Sequence, residues 1–434
     1  MQHQSSFLAH ARRFSALAAT ALLAASALSM PALAQNGTPP GADVDSLLRL
    51  ARERNPDYAA VRQEASAASE RIEAAGALPD PRLRVELQDL TMSGTQNPTL
   101  SPSRVGSTKY TVMQDLPWFG KRDLQREIAV READGAQGRA RAGWAELAAR
   151  IKNGYAQFYY IDQNLRLSTE ILDLLTRLEQ VAQARYAGGL AAQTDVIRAQ
   201  MERSNMQNEL IALENDKRTA QSRLNVLLAR PANAELAAPQ RLRALPPPAR
   251  LDHDALQERL RNGNPLVFAD EARVGAAEKS RDLTYKNRYP DLTLGIVPVQ
   301  VGSGVRQWEV MLELNIPLQQ GSRRSKEREA EALLAAARSR KEATTNQLQS
   351  ELSETLSALD AARRTAQLSA DRLLPQAELT FRSALASYEN GKVDFATVLE
   401  AQRQIRQARQ TNIKAQAEGQ ARLADLERLL GEDL

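Results

Sequence analysis

Cysteine is absent from this chain of 434 residues. That absence excludes a disulfide framework and a thiolate zinc site. It also excludes attachment to a membrane through a lipidated cysteine. Histidine is nearly missing: His3, His10 and His253 are the full set. The first two fall in an N-terminal stretch that reads as a leader. His253 stands beside a helix cap, where a solvated surface side chain is expected. No Cys/His cluster can be assembled, and neither a G-x-S-x-G nucleophile nor a phosphate loop occurs. Met201 and Met206 miss the i,i+4 spacing that would bring two thioethers to one ligand. The sequence therefore predicts no enzyme, no metal site and no cofactor. Aromatic residues make up only 4%, and 57 Lys and Arg face 53 Asp and Glu, leaving a net charge of +4. Such a balance does not indicate a nucleic-acid binder.

Residues 1–34 read as a secretory signal peptide. Arg12 and Arg13 form its basic region, Leu17 to Leu28 its apolar stretch, and Ala32-Leu33-Ala34 its cleavage site before Gln35. The apolar stretch is too short for a spanning helix. Export by a bacterium with a periplasm is expected.

The remaining sequence is dominated by Ala, Leu, Arg, Glu and Gln, with apolar residues about 3.5 positions apart, the composition of long helices packed as coiled coils. It also repeats itself. Tyr186-Ala-Gly-Gly189 followed by Asp195-Val-Ile-Arg-Ala-Gln200 returns as Tyr388-Glu-Asn-Gly391 followed by Thr397-Val-Leu-Glu-Ala-Gln402. The tyrosines, the glutamines and the pairs Leu227-Leu228 and Leu429-Leu430 all lie 202 positions apart. Leu116-Pro117 pairs likewise with Ile316-Pro317, and Pro79-Asp80 with Pro290-Asp291. A tandem duplication is predicted. The first repeat covers 35–245 and the second 252–434, with a linker at 246–251 after Leu245.

Each repeat reads as two short helices, two strands and a long helical hairpin. In the first, Asp45 is expected to cap a helix over 46–54, and Asn55-Pro56 starts another that runs to about Ala77 and is stopped by Pro79-Asp80-Pro81. Leu83, Val85 and Leu87 alternate with polar residues, as does a weaker stretch over 109–116. A helix then runs from Lys121 to about Leu190, roughly 100 Å at 1.5 Å per residue. Gly188-Gly189 breaks it, Thr194 or Asp195 is expected to cap the return helix, and Pro231 closes the unit. In the second repeat, Asp252 caps a helix and Asn264-Pro265 starts the next. Strands follow at 291–296 and 307–316, with a loop over 298–304. Pro375, inside the next long helix, predicts a kink or the loss of one backbone hydrogen bond. The final helix runs from about Asp394 to Leu430.

The strand ends carry Trp118, Phe119, Tyr289 and Trp308, aromatic residues suited to a membrane interface. Strands with one apolar face, aromatic ends and polar loops fit a membrane barrel. Four strands are too few to close one, since single-chain barrels begin at about eight. An open sheet edge is not tolerated in lipid. Several copies must therefore pool their strands, and the narrow helical seams need neighbours too.

Over the whole mature chain, these residues resemble the TolC-like outer-membrane factors of efflux systems. The two tip motifs in register carry the resemblance, supported by Leu116-Pro-Trp-Phe-Gly-Lys-Arg122, Ile316-Pro317 and the two Leu-Leu endings. It implies a mainly α fold with a small membrane β-barrel contribution: four strands per chain, a homotrimeric 12-stranded barrel in outer-membrane lipid and a helical tunnel in the periplasm. It implies docking to a periplasmic adaptor and an RND-type inner-membrane pump. Tyr186, Gly188, Gly189, Tyr388, Asn390 and Gly391 become the docking tips, with the tyrosines bracing the turns. Asp195, Asp394, Thr397 and Glu400 become candidates for the periplasmic aperture, Thr397 standing where the family can place an acid. The Pro-Trp-Phe-Gly-Lys-Arg junction looks most like heavy-metal efflux members. A periplasmic coiled-coil adaptor or tether is the competing reading. Adaptors usually carry one hairpin flanked by compact β domains, whereas this chain carries two hairpins and lipid-type strands.

Overall fold

Each short helix begins where a side chain satisfies the free N–H groups of its first turn. The computed structural model describes residues 39–90 and 100–434. The expected signal peptide lies outside the described residues. Residues 40–434 form one unit. Helix α1 (Val44–Arg54) is capped by Asp43, which accepts from the Ser46 N–H at 2.7 Å. The sequence pointed instead to Asp45, which occupies the first turn, where its charge favours the positive end of the helix dipole.

Asn55 accepts from the Tyr58 N–H at 2.9 Å and opens α2 (Pro56–Gly76). Its amide nitrogen donates to the Leu227 carbonyl at 2.9 Å. The second repeat does the same. Asp252 caps α5 (His253–Gly263), and Asn264 caps α6 (Pro265–Lys286) while donating to the Leu429 carbonyl at 2.7 Å. One asparagine per repeat thus starts a helix and ties off the end of a hairpin. This explains why Asn-Pro and Leu-Leu recur together. Leu228 and Leu430 are both buried beside these ties.

The strands β1 (Arg82–Gln88), β2 (Ser107–Leu116), β3 (Leu292–Val301) and β4 (Gly304–Leu314) form one antiparallel sheet in that order. Leu83, Val112, Ile296 and Val310 stand opposite one another across all four strands. They are 66, 50, 57 and 83% exposed. The opposite face carries ion pairs beside the buried Met113, Val297 and Val299: Arg82 binds Asp115 at 2.7 Å, and Lys109 binds Glu309 at 3.0 Å. The expected loop over 298–304 is mostly strand. β3 continues through Pro298 to Val301 and turns at Gly302, whose φ is +67°. Pro298 pairs with Trp308 on β4, but pairing with β2 is interrupted between Lys109↔Val299 and Val112↔Ile296. Proline lacks the N–H that this side of the ladder needs.

Two hairpins carry the length. In the first, α3 (Lys121–Ala187) has 67 residues and α4 (Gln193–Leu227) has 35. In the second, α7 (Gln320–Leu368) and α8 (Leu374–Glu389) are joined by one π-helical turn at Ser369–Leu373, and α9 (Phe395–Leu430) returns. The π turn is the outcome of Pro375, which has no N–H for the regular ladder and crowds the preceding turn. Ser369 is fully buried there and donates to the Ala408 carbonyl at 2.9 Å. Small residues let helices approach. A Cβ at Gly138 of α3 would stand 2.9 Å from that of Ala269 on α6. Among the described residues, no helix is long and apolar enough to cross a membrane.

Candidate functional site

The tips of the two hairpins fold alike. At the first, the N–H of Gly189 donates to the Tyr186 carbonyl at 2.9 Å, and that of Leu190 to the Arg185 carbonyl at 2.8 Å. At the second, Gly391 donates to Tyr388 at 2.9 Å and Lys392 to Ser387 at 2.8 Å. Both turns need a left-handed residue, and glycine supplies it: φ is +72° at Gly189 and +68° at Gly391. Gly188 keeps an ordinary φ of −82°. The repeated motif is therefore one turn built twice.

Beyond the turn the tips differ. Asp394 caps α9, accepting from the Thr397 N–H at 3.0 Å and from its hydroxyl. Those hydrogen bonds hold the Asp394 carboxyl below the usual carboxylate range. The equivalent position before α4 is Ala192, and α4 begins without a side-chain cap. Neither Thr194 nor Asp195 caps it, contrary to expectation, because both already lie inside the first turn. Tyr388 is buried against Phe395, with ring centroids 5.3 Å apart, while its counterpart Tyr186 is 47% exposed. Burial pushes the Tyr388 phenol up, the Asp195 carboxylate adds to that, and the Arg185 guanidinium opposes it.

Arg185 joins the two tips. Its Nη1 donates to the Glu389 carbonyl at 2.6 Å, and its guanidinium lies 4.8 Å from the Tyr388 ring centroid. Sequence reasoning missed both Arg185 and Phe395. The signal was available in the repeat: Arg185 stands where the second copy has Ser387, and Phe395 where the first has Gln193. Departures from the repeat mark what one tip does for the other.

Glu400, one turn beyond Thr397, is exposed and lies 3.9 Å from Arg403. Arg403 also reaches Glu202, and Arg406 binds Glu209 at 2.7 Å, so α9 is tied to α4 by ion pairs. Asp195, Asp394, Thr397 and Glu400 all lie at the tip end of the hairpins, but Thr397 is engaged by Asp394. Met206 is buried in the tip core and Met201 is exposed. Among the described residues, no group of acidic or histidine side chains could hold a metal ion.

At the far end of the hairpins, the Pro-Trp-Phe-Gly-Lys junction forms a joint. Trp118 stacks on Tyr289, with centroids 5.4 Å apart and planes 6° from parallel. Gly120 has a φ of +77° and starts α3. Lys121 is buried and donates to Asp291 at 2.8 Å and to the Tyr289 carbonyl at 3.1 Å. The Trp118 N–H donates to the same carboxylate at 2.8 Å. This joint ties the Leu-Pro of the first repeat to the Pro-Asp of the second. Phe119 and Trp308 are 81 and 72% exposed.

Comparison with known proteins agrees with this architecture. The chain is 25% identical over 394 residues to the cobalt-zinc-cadmium resistance protein CzcC of Cupriavidus metallidurans, covering 89% of this chain and 90% of CzcC. It is 23% identical over 405 residues to the pyoverdine export outer membrane protein OpmQ of Pseudomonas putida, covering 86 and 82%. The crystal structure of CusC, described as a transmembrane channel, superposes with a TM-score of 0.77 at 19% identity over 92% of this chain and 96% of that one. The model of the family "Outer membrane efflux protein" matches residues 47–230 and again 256–432. With each half matched from its first helix to its Leu-Leu ending, the chain belongs to the outer membrane efflux protein family, whose members are passive channels and not enzymes.

Proposed function

We propose that this outer-membrane channel is the exit duct of a tripartite efflux system. Three copies would close a 12-stranded barrel, and the hairpin tips would meet a periplasmic adaptor coupled to an RND-type inner-membrane pump. The observation that carries the reading is the sheet. Among the described residues its two outer strands, β1 and β4, lack partners on one side, and one face is apolar and exposed from edge to edge. Pairing β4 of one copy with β1 of the next satisfies both edges and leaves the apolar face for lipid. The proposed tandem units are 35–245 and 252–434, joined at 246–251, a division supported by the family model matching once in each. Trp118, Phe119, Tyr289 and Trp308 would sit at the membrane interfaces. Heavy-metal ions are the proposed cargo, on the likeness to CzcC along nine-tenths of the chain.

Tyr186, Gly188, Gly189, Tyr388, Asn390 and Gly391 form the proposed docking tips. Asp195, Asp394, Thr397 and Glu400 flank the proposed aperture, where Glu400, exposed beside Arg403, is proposed to face passing cations. Gly188 offers a test without backbone strain, because its φ is negative and a Cβ would meet nothing closer than 3.6 Å. Gly188→Leu should abolish cobalt, zinc or cadmium resistance in cells that depend on this channel, while the detergent-extracted trimer stays intact. Full resistance in that variant would remove the first tip from the docking surface. Wild-type cells whose metal tolerance does not change when the channel is deleted would remove the metal cargo.

A further inference from the structure

A cavity of about 310 Å³ opens where β3 and β4 leave the sheet and α7 begins. Its walls carry four cations, Lys121, Arg288, Arg323 and Lys326, and two carboxylates, Asp291 and Glu327. The carboxylates are already engaged. Lys121 binds Asp291 at 2.8 Å, and Arg288 holds Glu327 through two hydrogen bonds of 2.7 Å. The Arg288 hydrogen bonds, helped by the charges of Arg288, Arg324 and Arg323, keep the Glu327 carboxyl below the usual range. Arg323 donates to the Asn287 carbonyl, and its Nε is buried without a partner. Lys326 has no ion pair or side-chain hydrogen bond among the described residues. Two positive charges are left facing one cavity.

The cavity is lined by polar side chains, with exposed apolar residues adjacent to them in sequence. Asn315 and Gln319 line it, and between them Ile316 and Leu318 are 67 and 80% exposed. Tyr289 lines it as well, backed by Trp118 and the exposed Phe119. Uncompensated cations next to exposed aliphatic and aromatic side chains complement an amphiphile with an anionic head. A free inorganic anion would make no use of these apolar neighbours. We infer that this cavity binds the phosphate of a membrane phospholipid, with Arg323 and Lys326 on the headgroup and Ile316 and Leu318 along the acyl chains. The lipid would stand at the foot of the sheet, where the outer-membrane channel passes from bilayer to periplasm. The inference rests on the outer-membrane location and not on the cargo or the pump.

The test is native mass spectrometry of the full-length oligomer, stripped of lipid in detergent and titrated with phosphatidylglycerol. The double variant Arg323→Gln/Lys326→Gln should weaken retention about tenfold, the loss expected from removing charge-assisted hydrogen bonds. Lys326→Gln alone, at an exposed side chain, should show part of that loss if the double variant assembles poorly. Arg324→Gln, outside this cavity, should retain lipid like the wild type. Equal retention by wild type and both cavity variants overturns the site. So does an equal loss in Arg324→Gln, which would mean diffuse attraction, or displacement of the lipid by an equal concentration of inorganic phosphate. Conductance of the same samples in planar bilayers separates the two readings. Channels that conduct but retain no lipid sink only the lipid site.

Discussion

At the scale of single residues, the tips show how a repeat is read and where the reading stops. Gly189 and Gly391 are legible because a left-handed turn is a local task that their residue type announces, and Asp394, expected at the aperture, also caps α9. Arg185 is not legible, because its partners belong to a hairpin about 200 residues away. No local pattern marks a side chain whose task is to accept another segment. The structure assigns it the closure of the second tip. Arg185→Ala removes a hydrogen bond to the Glu389 carbonyl and the cation over Tyr388, contacts worth roughly 1–2 kcal/mol together. Limited proteolysis should then cleave after Lys392 faster than in the wild type. An unchanged rate would mean that the second turn holds without the clamp. Asp394 predicts a pH dependence. Its folded pKa is lowered, so its contribution is present above the unfolded carboxylate value and is lost as pH falls through the folded one. Hydrogen exchange in the first turn of α9 should quicken on acidification below the ordinary aspartate range. Asp394→Asn should lose that acid-dependent step, whereas α4, capped by no side chain, should not show it in the wild type.

At the scale of elements, the helices and strands follow from period and punctuation, and the departures have local causes. Four strands were expected and the described residues form four, but β3 runs past Pro298 because only its β2 side lacks a donor. A proline read as a loop signal is, in a sheet, only a missing hydrogen bond. Pro375 predicted a break and produced a π turn, since two long packed helices on either side keep the axis going. Composition gives no sign of the charges buried between elements. Lys152 of α3 and Glu427 of α9 are nearly inaccessible and 2.7 Å apart, and Arg243, from the non-helical end of the first repeat, also binds Glu427, at 2.8 Å. Along the sequence Lys152 and Glu427 look like ordinary helix-surface charges and Arg243 like a loop charge. Removing one partner of a buried pair typically costs about 3–5 kcal/mol. Lys152→Met should fall near the lower end, about 3 kcal/mol, because Arg243 remains on the carboxylate. The measurement is the heat stability of the detergent-solubilised oligomer. A loss within error of zero would show that Arg243 alone suffices and that the lysine is not part of the joint.

At the scale of the whole molecule, the decisive feature is what one copy leaves unfinished. The apolar row Leu83, Val112, Ile296 and Val310 and the polar pairs Arg82–Asp115 and Lys109–Glu309 occupy opposite faces of one sheet. A soluble protein would cover the apolar face with helices, yet the described helices leave it bare. Alternation therefore makes neighbouring residues of one strand into opposite tests. Val310 is 83% exposed on the apolar face, and Met311 next to it faces the other way. A lysine at mid-bilayer on the lipid side of a barrel costs about 2–4 kcal/mol, while a lysine on the lumen side meets water. Val310→Lys should lower the amount of trimer recovered from the outer membrane, and Met311→Lys should leave it near wild type while shifting ion selectivity. Equal recovery of both variants would mean that neither face meets lipid. A wild-type chain recovered as a water-soluble monomer would remove the need for sister strands on which the duct depends.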